Sequence, residues 1–274
     1  MYITLERYNT INAFLSTIEA RERTGKADTN VKESVRSRFH GVSNYEEALD
    51  LYKNGLPDVC NRLKAAKARI KNAKTSGVGQ VNKRVKRNYY VGYAPDIGRA
   101  VIGMPKDMRQ IKRVNAPVKT ISLIYNNSTN CDTSAADIMR SGEAVFTLAY
   151  ALEAAGYKVN IDLLVYAATG QKEAALCLVN LKEYKQSFDM LKLSFPLCHP
   201  AAFRVFGFRW LETCPTLQNF WFGNGHQIQK TDTIRDYLRQ TGFNADNKYL
   251  ITIKDCIQGS YDYKQIAELI GLSI

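Results

Sequence analysis

The chain is 274 residues long, with 45% hydrophobic and 23% charged residues. That balance fits an ordinary globular protein and excludes both disorder and collagen-like repeats. Its 38 Lys/Arg outnumber 26 Asp/Glu, for a formal net charge of +12, and no apolar run nears the roughly 20 residues of a membrane helix. No membrane partner is therefore expected.

The opening MYITLERYNT reads as a short strand, Tyr2 to Leu5. Glu6 and Arg7 interrupt it before a signal-peptide core could build. A helix is expected from about Asn9 to Arg21, with Ile11, Phe14, Leu15 and Ile18 on its buried side. Residues 22–41 are polar and read as a loop. SNYEEALDLYKNG (43–55) has the form of a capped helix, with Ser43 as N-cap, Glu46 three residues on and Gly55 after its end.

Charge is then concentrated in one stretch. Residues 61–119 hold sixteen Lys/Arg and only Asp96 and Asp107, whereas the flanking stretches 1–60 and 120–274 are each close to neutral. Such a block repels itself unless an anionic partner neutralises it. Within it, NRLKAAKARIKNAK (61–74) has helical character. Lys64, Lys67, Lys71 and Lys74 recur along one face, and Leu63, Ala66 and Ile70 form an apolar stripe on another. After TSGVGQ comes VNKRVKRNYYVGY, where Lys83, Arg84, Lys86 and Arg87 precede Tyr89, Tyr90 and Tyr93. Cations beside aromatic rings suit nucleic acid, with phosphates on the charges and bases stacked on the rings. The competing reading is a solvated helix followed by a strand whose tyrosines are core.

From Pro117 onward the pattern is α/β. VKTISLIYN (118–126) has the composition of a buried central strand, and NSTNCDTS precedes a long helix from about Ala135 to Ala155, stopped by Gly156. VNIDLLVYAA (159–168) and AALCLVNLKEY (174–184) are further strands. A helix from Pro200 to Cys214, a loop at 215–230 and a helix at about Asp232–Gln240 follow. The run ends with strand KYLITIKD (248–255) and a helix at 261–270. Alternating strands and helices imply a three-layer α/β domain, mainly parallel, with helices on both faces. The expected division is a mainly helical N-terminal region at 1–60, a basic segment at 61–117 and the α/β domain at 118–274.

Catalytic signatures are sparse. The six cysteines form no C-x-x-C pair and read as reduced structural thiols, which points to a cytosolic compartment. Cys198-His199 are adjacent, so their side chains diverge, and the pair reads as a turn before a helix. No G-x-S-x-G, P-loop, G-x-G-x-x-G or H-E-x-x-H occurs, and FGNGHQ (222–227) reads as a loop. Asp162, Asp189 and Asp255 could converge near the sheet's edge, which keeps a metal-dependent nuclease or hydrolase as an alternative.

The stretches 118–164 and 180–212 resemble an uncharacterised protein family carried by tailed bacteriophages; the opening MYITLERYNTINAFL and residues 39–55 share the likeness. The C-terminal half is more distantly similar to the von Willebrand factor A type of α/β domain. That resemblance implies a metal site with an Asp-x-Ser-x-Ser pattern just after the first strand. Here the stretch is Asn126-Asn127-Ser128-Thr129-Asn130, with amides at two of the pattern's positions. Mg²⁺ prefers carboxylate oxygens, so a metal-free loop is expected, with Ser128, Asp132 and Asp137 as the weaker Mg²⁺-binding alternative. The expected function is a phage-encoded, non-enzymatic binding protein without a cofactor, acting in the host cytoplasm or virion. Its basic segment would engage nucleic acid or an acidic protein through Lys64, Lys67, Lys71, Lys74, Lys83, Arg84, Lys86, Arg87, Tyr89 and Tyr90. A virion or host-takeover adaptor is the remaining alternative.

Overall fold

A five-stranded, mostly parallel sheet organises the computed structural model, which describes residues 2–24, 30–72, 82–115, 119–169, 173–215 and 231–272. One strand in from its edge lies β5 (Thr120–Asn126), an apolar run with every residue after Thr120 buried. It pairs in parallel with β6 (Lys158–Thr169) on one side and β8 (Lys248–Thr252) on the other. Burial on both faces accounts for the absence of alternation in TISLIYN. Ile121 is 6% exposed, Leu123 0% and Ile124 1%.

Next to β6 stands β7 (Glu173–Lys182), and it runs antiparallel. Only three residues separate the two strands, too few for the crossover that a parallel pair needs. Beyond β7, the N-terminal strand β1 (Tyr2–Tyr8) pairs with it in parallel and forms the edge. The N-terminal stretch thus supplies a strand to the same sheet as 118–274, so residue 60 marks a change in charge and not a break in the core.

Two hydrophobic clusters lie on the sheet. The larger gathers α1 (Ile11–Ala20), α3 (Tyr45–Asn54), α4 (Pro57–Asn72) and the long α6 (Ala135–Ala154). It also includes α7 (Met190–Cys198), a π-helical segment (Ala202–Gly207) and α8 (Phe208–Thr213), with α10 (Ile253–Gln258) and α11 (Tyr263–Leu269). The smaller cluster is built by α9 (Thr231–Gln240), which sets Ile234 and Leu238, one helical turn apart, against Ile124, Leu164, Tyr166 and Leu176. Gly142 permits a close approach of α6 to α7, since a Cβ there would lie 2.1 Å from the Leu197 carbonyl oxygen.

Buried polar contacts tie the first forty residues to this body. Trp210 donates its indole N–H to Glu6, Arg209 donates to the Ile18 and Arg21 carbonyls, and Arg204 donates to those of Phe39 and Thr133.

Several local expectations shift. The helix at 43–55 is capped by Asn44, which accepts from the Glu47 backbone, while the Glu47 carboxylate accepts from Ser43 N–H. The strand expected to reach residue 255 ends at Thr252, where Thr252 and Asp255 form a reciprocal capping box and start α10. A short helix, α2 (Ser37–His40), interrupts the expected loop at 22–41. Helix α7 precedes the expected 200–214 helix, with Pro196 inside it.

Candidate nucleic-acid interface

The basic segment forms a second, three-stranded sheet in which β2 (Asn82–Tyr89) and β4 (Met108–Asn115) pair antiparallel over eight register positions. β3 (Ala94–Pro95) adds to the other side of β4, and a short helix, α5 (Ile97–Val101), follows it. β2 carries Lys83, Arg84, Lys86 and Arg87, and β4 carries Arg109, Lys112 and Arg113. In this register Arg84 stands directly opposite Arg113, and like charges in opposed positions weaken a ladder.

At the far end of the ribbon, Gly92 passes so close to β4 that a Cβ would meet the Arg109 carbonyl oxygen at 2.2 Å. Tyr93 N–H donates to that carbonyl. Desolvation raises the Asp96 carboxyl, but hydrogen bonds from Arg109 and Asn88 outweigh it and hold the group below its usual range. Tyr89 is half-buried, whereas Tyr90 is 69% exposed with the Lys106 ammonium 5.6 Å from its ring centroid. Of the two tyrosines, Tyr90 is the one presented to solvent.

The lysines of α4 divide. Lys64 is exposed, while Lys67 is half-buried and sits over the Tyr150 ring at 4.9 Å, packed against α6. Leu63 and Ile70 are buried, as their stripe implies. Lys71 is placed on α4, its side chain outside the description; Lys74, TSGVGQ and FGNGHQ lie outside the described residues altogether.

The loop after β5 is committed to local structure. Asn126 accepts from Ser128 N–H, and the Ser128 hydroxyl accepts from Tyr166 N–H at 2.8 Å. Asp132 is exposed. Asp137 accepts from the Tyr261 and Ser134 hydroxyls, which lower its pKa. Ser128 and Asp137 thus hold separate local bonds while Asp132 stands in solvent, and no group of three metal-ligating side chains occurs among the described residues.

Asp162, Asp189 and Asp255 also part company. Asp189 caps α7 and Asp255 caps α10. Asp162 lies at the opposite end of the sheet from Asp255, near the start of β6, in a cavity of about 400 Å³ lined by Arg7, Ser122, Asn160, Asn180, Tyr184 and Lys248. Burial raises the Asp162 carboxyl; amide donors Asn180 at 2.8 Å and Asn160 at 2.9 Å, with Lys248 4.0 Å away, partly offset this. This polar triad was not grouped by sequence reasoning. Its signal was present in the polar residues that interrupt VNIDLLV and CLVNLK. Cys198 is buried within α7, and His199 stacks on Phe195 with its pKa pushed down to about 4 by burial. Burial raises the Cys198 thiol well above its ordinary range, which opposes thiolate formation.

The family described as a domain of unknown function, DUF7192, matches residues 2–272. No match is found among curated proteins or solved structures.

Proposed function

We propose that this chain, which belongs to the DUF7192 family, is a non-enzymatic binding protein whose β2–β4 ribbon engages nucleic acid. The observation that carries this reading is the ladder itself. Seven Lys/Arg lie on two short paired strands, with Arg84 opposite Arg113 and only Asp96 and Asp107 within residues 61–119 to offset them. A regularly spaced polyanion relieves that repulsion, and the helix-covered sheet supplies the scaffold.

The phage origin and the von Willebrand factor A-like character of the scaffold belong to the same proposal. They are supported by the stretches named above and by the loop that follows β5. That loop is read as a degenerate ion site, because Asn126 and Ser128 already serve backbone N–H groups. The host cytoplasm or the virion is the corresponding place of action.

Titration of fluorescent single- and double-stranded DNA and RNA across a salt series tests the reading. With about six phosphates contacted, log affinity should fall with log salt at a slope of about −4 to −5. Absence of binding to every oligonucleotide at about 50 mM salt would overturn it, because non-specific electrostatic binding is detectable in that regime. An acidic protein would then be the better partner for the ribbon.

A further inference from the structure

We propose that the apolar end of the ribbon is a wedge that enters between base pairs of double-stranded nucleic acid and bends it. This deepens, and rests on, the reading of the ribbon as a nucleic-acid-binding element.

The observation is where the exposed apolar side chains fall. Of the eleven large hydrophobic residues exposed among the described residues, seven lie between Tyr90 and Met104. Val91 is 76% exposed, Ile97 73%, Val101 79% and Ile102 66%. Neither hydrophobic cluster of the body includes any of residues 88–110, whose side chains the structure describes. Exposed apolar patches of this kind mark interaction sites.

The chemistry of these residues selects the form of nucleic acid. Single-stranded bases are held by stacking on flat rings, which Tyr90 and Tyr93 could supply but Val91, Ile97, Val101 and Ile102 cannot. Aliphatic side chains act on nucleic acid by another route: inserted between base-pair steps, they unstack the duplex and kink it by about 20–90°. The cations lie on the strands leading to this end, so phosphate contacts along β2 and β4 would hold the wedge against the duplex. Each eight-residue strand extends about 27 Å, roughly eight base pairs of axial rise. The charge further favours a polyanion over a neutral apolar groove, since residues 82–115 hold nine Lys/Arg and two Asp.

The test uses the full chain and a duplex of about 30 base pairs carrying a donor and an acceptor dye at its ends. Binding by the unaltered protein should raise energy transfer as the ends approach. The double variant Ile97→Ser/Ile102→Ser, both at exposed positions, should keep its circular dichroism spectrum, melting temperature and salt slope while losing the gain in energy transfer. Lys86→Ala/Arg87→Ala should do the reverse, binding more weakly with a flatter slope but bending the duplex at saturation. Saturating binding without a change in energy transfer would overturn the wedge and leave the nucleic-acid reading standing. Failure to bind any nucleic acid would overturn both. Insertion of the unaltered protein into phosphatidylserine-rich vesicles, lost in the Ile97→Ser/Ile102→Ser variant and unaccompanied by duplex bending, would overturn the wedge in favour of a lipid surface.

Discussion

The sheet-centred body and the basic ribbon solve opposite problems. The body buries its aliphatic and aromatic side chains and supplies its few buried charges with partners: Lys182, 1% exposed, donates to the Val159 carbonyl and meets the Glu153 carboxylate at 2.6 Å. The ribbon leaves apolar side chains in solvent, carries seven Lys/Arg on its two paired strands and places Arg84 opposite Arg113 in register. Under the proposed function, that division separates stability from recognition. Substitutions should therefore sort by region more than by residue type.

The largest expected effect tests that sorting. Trp210 is fully buried, and its indole N–H reaches Glu6 at 2.9 Å. Trp210→Ala should cost about 3–5 kcal/mol of stability through the cavity and the lost donor, read as the midpoint shift in denaturant unfolding. Below the unfolding transition, oligonucleotide affinity should be unchanged. An equal loss from truncating exposed Ile97 would break the comparison, because surface changes of that kind usually stay within about 0.5 kcal/mol.

The second effect belongs to the ribbon alone. Changing Lys83, Arg84, Lys86 and Arg87 together to Ala should flatten the salt slope by roughly three units and weaken binding to all sequences alike. The melting temperature should hold or rise, since the opposed Arg84–Arg113 pair disappears. A fall of several degrees would mean that these side chains support the fold.

How much of this was legible in the sequence follows the same divide between local and distant causes. Strand β5 could be read from TISLIYN because burial on both faces leaves an unbroken apolar run. The end of helix α6 could be read from Gly156, which at φ 94° terminates it. The basic block was legible as composition, but the pairing of Arg84 with Arg113 depends on the register of strands almost twenty residues apart. Helix α7 carries Pro196 in the last turn of its nine residues, and a proline inside so short a helix leaves it with a weak signal in the sequence. The Asp162 cavity was hidden for a non-local reason. Asn160 and Asn180 meet across the β6–β7 pair, at a register irregularity between Ile161 and Asp162.

A smaller effect sharpens the account of the tip. Tyr90 is exposed and Tyr89 half-buried, so Tyr90→Ala should cost about 1–3 kcal/mol of binding per stacked base. Both the salt slope and the melting temperature should be preserved. Loss of stability with binding intact would instead make Tyr90 part of the ribbon's own packing.

The smallest expected effect separates the regions by pH. Burial raises the Glu6 carboxyl, but donors from Tyr8, Trp210 and Arg21 overcome that and leave it below the usual carboxylate range. A carboxyl lowered in the folded state stabilises it above the unfolded pKa, near 4.3 for Glu, and that contribution is lost as pH falls through the folded value. Buried His199, pushed down to about 4, acts in the same direction, since the unfolded chain takes up its proton first on acidification. Glu6→Gln should therefore cost about 1–2 kcal/mol near neutral pH through weakened charge-assisted bonds. The difference from the unaltered protein should vanish as Glu6 is protonated. Glu6 and His199 belong to the body and not to the ribbon, so acid should destabilise the body while leaving oligonucleotide affinity steady until unfolding begins. Paired pH series of unfolding midpoint and oligonucleotide affinity would check this, and a Glu6→Gln deficit that persisted undiminished to the lowest pH at which the chain stays folded would show that packing, and not charge, is what Glu6 contributes.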